Sequence, residues 1–406
     1  MKNPISVYKG LHKSFYIMAL TVFINCAGNF VVVFFSLYLT VRLGYDVATT
    51  GLLVSGLAFI SIPGSLIGGK LSDLFGRKTI MVSSQIMMGL SYILCGFFFD
   101  QSYAFVFIFL AQFFDGITDP ARNALEVDIT KPEQRQAAFS LLYQALNMGF
   151  AIGPLLASFL FYNHPQWLFW GNGIAELVAI SLVVLFVPES KPSVAAIEKS
   201  KQLNTGEKAE SGSIFKVLLA RPQLLWFSLA SLFIAFAYRQ IAFALPLQTT
   251  ALFELKGAQY YGFMASLNAI IVILFNPFVL AISKKNNVLI NVLSAAFMYL
   301  VTFALFGLAR IPWQFYALTA LYTVGEILIN NNSKAYQNNN TPMNFRGRFN
   351  AILPLFKTTG NFLGPVIGGI ILTHLSFREL WLIAAVAVLL AILIYLYLLK
   401  RKENAT

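Results

Sequence analysis

The sequence predicts an all-α integral membrane protein with twelve transmembrane helices in two six-helix, pseudo-symmetric bundles. Three observations predict it. Only 11% of the 406 residues are charged while 58% are hydrophobic, whereas soluble domains carry about 25% charged residues. The apolar residues fall into runs long enough to cross a hydrocarbon core, which takes roughly 20 residues of helix. Finally, one half of the chain maps onto the other at a fixed offset. The net charge of +12 comes as small groups of Lys and Arg between apolar runs, a membrane pattern and not a nucleic-acid patch. The 39 Phe suit lipid-facing surfaces.

Polar punctuation bounds each span in turn. Residues 15–41 form the first; the run is too long and too weakly flanked at its end for a cleaved signal. Residues 48–71 close at a basic loop, 79–99 at Asp100-Gln101, 103–127 before Lys131-Pro132, 137–162 at His164-Pro165, and 167–187 at Pro188. In the second half, 222–249 close before Lys256, 257–283 at Lys284-Lys285, 288–308 at Arg310, 313–336 before Thr341-Pro342, 349–373 at His374, and 379–399 at Lys400-Arg401-Lys402. With both termini inside, cytoplasmic segments and the cytoplasmic ends of the spans hold 24 of the 29 Lys and Arg, Lys357 among them inside the eleventh span, and outside loops only 4 (Arg42, Lys256, Arg310, Arg378), with Arg239 mid-span. That imbalance orients the chain in the cell membrane with both termini cytoplasmic.

Residues 188–221 are rich in charge and Ser and lack apolar periodicity, so they read as a linker between domains 1–187 and 222–406. Adding 211 maps Gly149, Gly153 and Pro154 onto Gly360, Gly364 and Pro365, Gly51 and Ser55 onto Gly262 and Ser266, Arg135 onto Arg346, and Asp115 onto Glu326. Parallel repeats of this size are a transporter architecture with the substrate site near the midplane.

The loop Gly68–Lys78 reads GGKLSDLFGRK. Here the chain resembles the major facilitator superfamily, whose loop between helices two and three carries G-x-x-x-D-x-x-G-R-K: Gly69, Asp73, Gly76, Arg77 and Lys78. Glycines allow a tight turn, and Asp73 and Arg77 can form charge-assisted hydrogen bonds that latch the cytoplasmic face. In the family this loop is linked to gating, and a carboxylate at the end of helix four often answers the arginine; Asp128 is the candidate, Glu126 the second. The motifs Gly149-x-x-x-Gly153-Pro154 and Gly360-x-x-x-Gly364-Pro365 strip side chains from one helix face for close packing. They resemble the helix-five signature of the drug:proton antiporter branch, although Ala157 replaces a later glycine and the better match lies on helix eleven. The segment DGITDPARNALEVDITKPEQR is similar to the fourth helix of multidrug facilitators, but Gln112 stands where many members place arginine. Pro188-Glu189-Ser190 gives a thinner likeness to sugar porters.

Charges inside the bilayer cost about 2.5–3.5 kcal/mol each, so they face the interior and mark function. Asp115, Asp119, Arg122 and Glu126 recur at spacings of 4, 3 and 4 on one helix face. Two partly desolvated carboxylates one turn apart are the pattern of a group that binds and releases protons. Pseudo-symmetry gives Glu326 the same depth as Asp115, and the two are expected to share proton binding and recognition of a cationic or polar substrate. Permanent pairing with Arg239 is the structural alternative, with Lys357 another partner. Asn29 and Gln240, with Asn25, Asn268, Asn330 and Asn361, are polar positions on helices that line the cavity in the family; each is otherwise interhelical glue. Phe30, Phe34, Phe236, Tyr143 and Tyr322 supply an aromatic wall for large cations. Glu176 is also mid-span, but family helix six tends to lie outside the cavity.

Cys26 and Cys95 lie in apolar runs and read as buried thiols. His12, His164 and His374 have no metal-ligand spacing, and no phosphate loop, zinc spacing or nucleophile elbow is present, so no enzyme, metal or organic cofactor is expected. The resemblance implies alternating access driven by the proton gradient, with small molecules, protons and lipid as partners and a monomer as the working unit. Export of amphiphilic drugs is the first expectation. Transport of one polar metabolite, sugar or lipid-linked solute is the second, and a non-transporting membrane sensor the third.

Overall fold

A computed structural model describes residues 10–130, 134–190, 221–283, 286–340 and 346–403. The linker residues 191–220 and Lys2, Lys9, Lys131, Lys284 and Lys285 lie outside the described residues, as do the side chains of Asp73 and Arg135.

Every predicted span is helical. The first is divided into α1 (Lys13–Ala27), α2 (Val31–Leu37) and a wider helical turn, Tyr38–Arg42. There follow α3 (Val47–Phe75), α4 (Arg77–Phe97), α5 (Phe105–Asp128), α6 (Arg135–Asn163) and α7 (Gln166–Phe186). The second half holds α8 (Pro222–Phe253), α9 (Gly257–Ser283), α10 (Val288–Phe306), α11 (Pro312–Asn340), α12 (Arg346–His374) and α13 (Phe377–Glu403). Among the described residues nine helical stretches are long and apolar enough to cross a membrane, one of them, Pro222–Val279, running through both α8 and most of α9. α5 and α11 fall outside that set because α5 carries its charge ladder and α11 carries Glu326, Gln314 and a string of asparagines. The exposed side chains of the spans are large and apolar, Phe59, Leu66, Leu185 and Phe278 among them, which suits lipid contact and reverses a water-facing surface.

The break in the first span is stitched to α7. Asn172 Oδ1 accepts from the Val31 N–H at 3.3 Å, and Gly28 lies hard against Ala175. Asp46 begins α3 by accepting from the Thr49 N–H (2.9 Å) and hydroxyl (2.5 Å), so an orphan donor of the first turn is satisfied.

The chain divides into two compact units. One takes Met1–Gly44, Gly56–Leu203 and Tyr261–Ile273; the other takes Tyr45–Ser55, Asn204–Tyr260 and Leu274–Thr406. Close helix crossings organise each. In the first, Gly64 and Gly68 of α3 meet the backbone of α5 at Phe113, Gly116 and Ile117, and Gly116 meets Ser61 in return. Gly149 and Gly153 of α6 lie on α1, a Cβ on either falling within 2.7 Å of Phe23 O or Cys26 O. In the second, Gly360 and Gly364 of α12 lie on α8 at Leu232, Phe236 and Arg239. The offset of 211 also carries one contact onto another. Gly262 lies on Pro154 and Ser158 within the first unit, and Gly51 lies on Pro365 and Gly369 within the second.

Candidate functional site

The functional side chains of the first unit rise from α5. Its 4-3-4 spacing sets Asp115, Asp119, Arg122 and Glu126 on one face, and the fold turns that face inward: Glu126 is 4% exposed and the other three are partly buried. Asp119 pairs with Arg122 one turn away. Gln112 donates to Asp115 Oδ2 at 2.9 Å, so the glutamine that replaces the family's arginine holds the carboxylate. Glu176 of α7 joins the group, accepting from Gln85 Nε2 of α4 at 2.9 Å. The Gln85 amide also reaches Asn25 Oδ1 of α1 and the Glu176 carbonyl, each at 3.3 Å. Glu176 interacts electrostatically with Asp115 and Arg122, and Arg122 with all four carboxylates. The result is a cluster of four acids and one guanidinium, with Glu126 and Glu176 buried and the Asp119 side chain half exposed.

Sequence reasoning set Glu176 aside on an expectation about helix six. The signal was present: Glu176 is the one charged residue of α7 and Gln85 the one amide of α4, and lone polar groups in apolar helices seek each other. Asn29 sits at the break after α1, where its N–H bonds Cys26 O at 3.3 Å.

In the second unit, Glu326 of α11 lines a cavity of about 420 Å³ with Tyr238 of α8, Tyr299 of α10, Asn330 of α11, and Lys357 and Asn361 of α12. Tyr238 donates its hydroxyl to the Glu326 carboxylate, stacks on Tyr299 (centroids 5.9 Å apart) and meets Tyr322 edge-on at 6.3 Å. A carboxylate among tyrosine faces and amides can hold a cationic group by charge, hydrogen bonding and cation–π attraction. Gln240 is fully buried in the α8–α12 seam, where Nε2 donates to Gly364 O at 2.8 Å. Arg239 is half buried with its stem against Gly364.

The loop motif forms a third site. Gly76 has φ +112°, a conformation suited to glycine, and a Cβ there would fall 2.5 Å from a Glu189 carboxylate oxygen. Gly69, by contrast, lies inside α3 with no described atom within 4 Å of a built Cβ, so tight packing does not explain it. Arg77 Nε lies 3.5 Å from Asp128 Oδ2 and its guanidinium donates to Ser72 O at 3.0 Å. Asp128 also accepts from the Ser190 hydroxyl at 3.1 Å, and Lys78 Nζ donates to Val184 O at 2.9 Å. Glu189 caps α4 from the far end of α7: its two oxygens accept the N–H groups of Lys78 and Thr79, each at 3.1 Å.

Partial burial pulls the Glu189 carboxyl upward, but the backbone N–H groups of Lys78, Thr79 and Ser190 and the Thr79 hydroxyl outweigh it and hold it below its ordinary 4.5. The depressed value gives the sign: the cap contributes fully above about pH 4.5 and is lost as pH falls through the lowered value. Glu189→Ala should cost the exposed cap about 0.5–1 kcal/mol, a two- to fivefold loss of amide protection at Lys78 and Thr79. Hydrogen exchange at neutral and acid pH checks this, the difference from wild type vanishing in acid.

The sequence matches the Major Facilitator Superfamily over residues 18–353 and 300–406. It is 26% identical over 374 residues to the uncharacterized MFS-type transporter YqjV of Bacillus subtilis, covering 89% of this chain and 87% of that protein. It is 24% identical to a Na(+), Li(+), K(+)/H(+) antiporter of Planococcus maritimus, covering 85% and 86%. Over a shorter stretch, 39% of this chain and 40% of the relative, it is 28% identical to the multidrug resistance protein MdtH of Photorhabdus laumondii. The crystal structure of the nucleoside transporter NupG superposes with a TM-score of 0.76 at 14% identity, covering 96% of this chain and all of that one. Helices in the predicted order, the complete loop motif and this family match converge: the chain is a multi-pass membrane transport protein and belongs to the Major Facilitator Superfamily.

Proposed function

We propose that the protein is a proton-coupled antiporter that exports amphiphilic cationic compounds by alternating access. The observation that carries this reading is the cluster of four carboxylates against one guanidinium. With every group ionised the cluster would bear a net charge of −3 in surroundings where one uncompensated charge already costs several kcal/mol. Neutralising it takes up protons or cations, and the occupancy is shared across the group. Asp115, with Asp119, is the coupling site; Glu326 and its tyrosines take the cationic part of the solute. The α4–α5–α7 contacts at Arg77, Asp128 and Glu189 act as a gating latch. The distribution of Lys and Arg puts both termini on the cytoplasmic side of the cell membrane, and the monomer is the working unit. The Planococcus maritimus relative is a Na(+), Li(+), K(+)/H(+) antiporter, which supports the antiport part of the reading, and the Photorhabdus laumondii relative is a multidrug resistance protein, which supports the drug part.

A second reading, transport of one polar solute, is favoured by Asn330, Ser333, Gln337, Lys357 and Asn361 around the cavity. Flux of ethidium and a panel of polar solutes in reconstituted vesicles separates the two. The first reading expects ethidium flux that collapses when the pH gradient is dissipated and falls strongly in Glu326→Gln. Gradient-independent flux, or transport of one polar solute alone, would sink it; no flux at all would favour the sensor.

A further inference from the structure

We propose that Glu176 is a second proton-binding carboxylate of the first unit, sharing one exchangeable proton with Asp115, and that the Gln85 amide accommodates both of its charge states. The proposal rests on the proton-coupled reading and gives a specific role to the cluster's α7 carboxylate, which that reading counts in the cluster's charge but assigns no step. Glu176 is 6% exposed. Gln85 is fully buried, and while its Nε2 makes the contacts already described, its Oε1 has no hydrogen-bond partner among the described residues. An amide carries donors on one side and an acceptor on the other. As found, the NH₂ serves a carboxylate; turned by half a rotation, Oε1 would accept the O–H of the protonated acid. Either form of Glu176 is then satisfied by one neighbour, which suits a group that changes state rather than one fixed in a single form.

A second observation points to the same place. α1 is interrupted at Gly28, whose backbone abuts Ala175, and Asn172 holds the N–H of Val31 where the helix resumes. Interrupted helices in transporters present their ends to ion sites, and this break lies beside the α7 turn that bears Glu176. Gln85 of α4 touches Glu176 directly, and the groups that interact with it electrostatically are Asp115 and Arg122 from α5, Tyr92 from α4 and Cys26 from α1, with Asn25 of α1 joined through Gln85. α2 (VVVFFSL) carries no titratable side chain, and α6 contributes none to its electrostatic partners among the described residues. The step balances within the cluster: the O–H bond of one carboxyl breaks, an O–H bond forms on the other carboxylate, and the proton count is unchanged. Exchange with water goes through Asp115, the less buried of the two.

The test is infrared difference spectroscopy of the purified full-length protein in lipid on a pH step, together with vesicle flux. Wild type should show a protonated-carboxyl band that titrates, lost in Glu176→Gln and moved but retained in Glu176→Asp. Gln85→Met, which leaves Glu176 in place, should shift its titration by roughly one pH unit. Gradient-driven ethidium flux should fall about tenfold in Glu176→Gln, with a flattened pH profile, and recover in Glu176→Asp. An unchanged band in Glu176→Gln, no shift in Gln85→Met, or a wild-type pH profile in Glu176→Gln would overturn the proposal. Absence of wild-type flux would defeat proton-coupled export alone, because the infrared bands report on Glu176 without a transported solute. If Glu176→Gln fails to fold, Glu176→Asp and Gln85→Met decide the matter.

Discussion

Asp115→Asn is expected to bring proton-driven flux in reconstituted vesicles down to that of protein-free vesicles while leaving the protein folded. The asparagine keeps the shape of the side chain and an oxygen that can accept from Gln112, which lies 2.9 Å from Asp115 Oδ2. What it removes is the exchangeable proton and one negative charge beside Asp119 and Arg122. The ion pair of those two remains within the same helix. A packing role for Asp115 predicts a lowered melting temperature with residual coupled flux; a coupling role predicts the opposite combination. Measuring flux with the melting curve on the same preparation separates them.

Gly116→Leu is expected to prevent assembly of the first unit. A Cβ at Gly116 would press on the Ser61 backbone, and its neighbours across the crossing, Gly64 and Gly68, already touch the backbone of α5. Neither side has a flexible side chain that can yield, so the cost exceeds the ~1–3 kcal/mol usual for overpacking. The purified variant should melt well below wild type or aggregate. Gly69→Ala, where a new methyl meets no described atom within 4 Å, should melt within about 0.5 kcal/mol of wild type or gain slightly from helix propensity.

The helices were legible because each depends on a local property, a run of apolar residues ending at charge or proline, and no tertiary detail is needed to read it. The repeat was legible for a related reason: Gly51 and Gly262 occupy matching crossings against Pro365 and Pro154, and such backbone contacts tolerate little but glycine. The interruption at Gly28 was not legible. Nothing in INCAGNFVV forces a break; the hydrogen bond that the Val31 N–H donates to Asn172, far along the chain, sustains it. Glu176 with Gln85, and Glu189 with the start of α4, were missed alike. Each joins residues about 90 to 110 positions apart, and a lone polar residue in a sequence names a need without naming its partner. Gln240 illustrates the converse. The family resemblance suggested a cavity position with interhelical glue as the alternative, and its Nε2 donates to the Gly364 carbonyl inside a helix seam.

The claim that the buried acid cluster exchanges protons for solute is met most directly by following protons with no imposed pH gradient. Vesicles loaded with ethidium and diluted into dye-free buffer should acidify inside as the dye leaves, and the acidification should vanish in Asp115→Asn. Dye efflux without a pH change, or the same acidification in the variant, would contradict it.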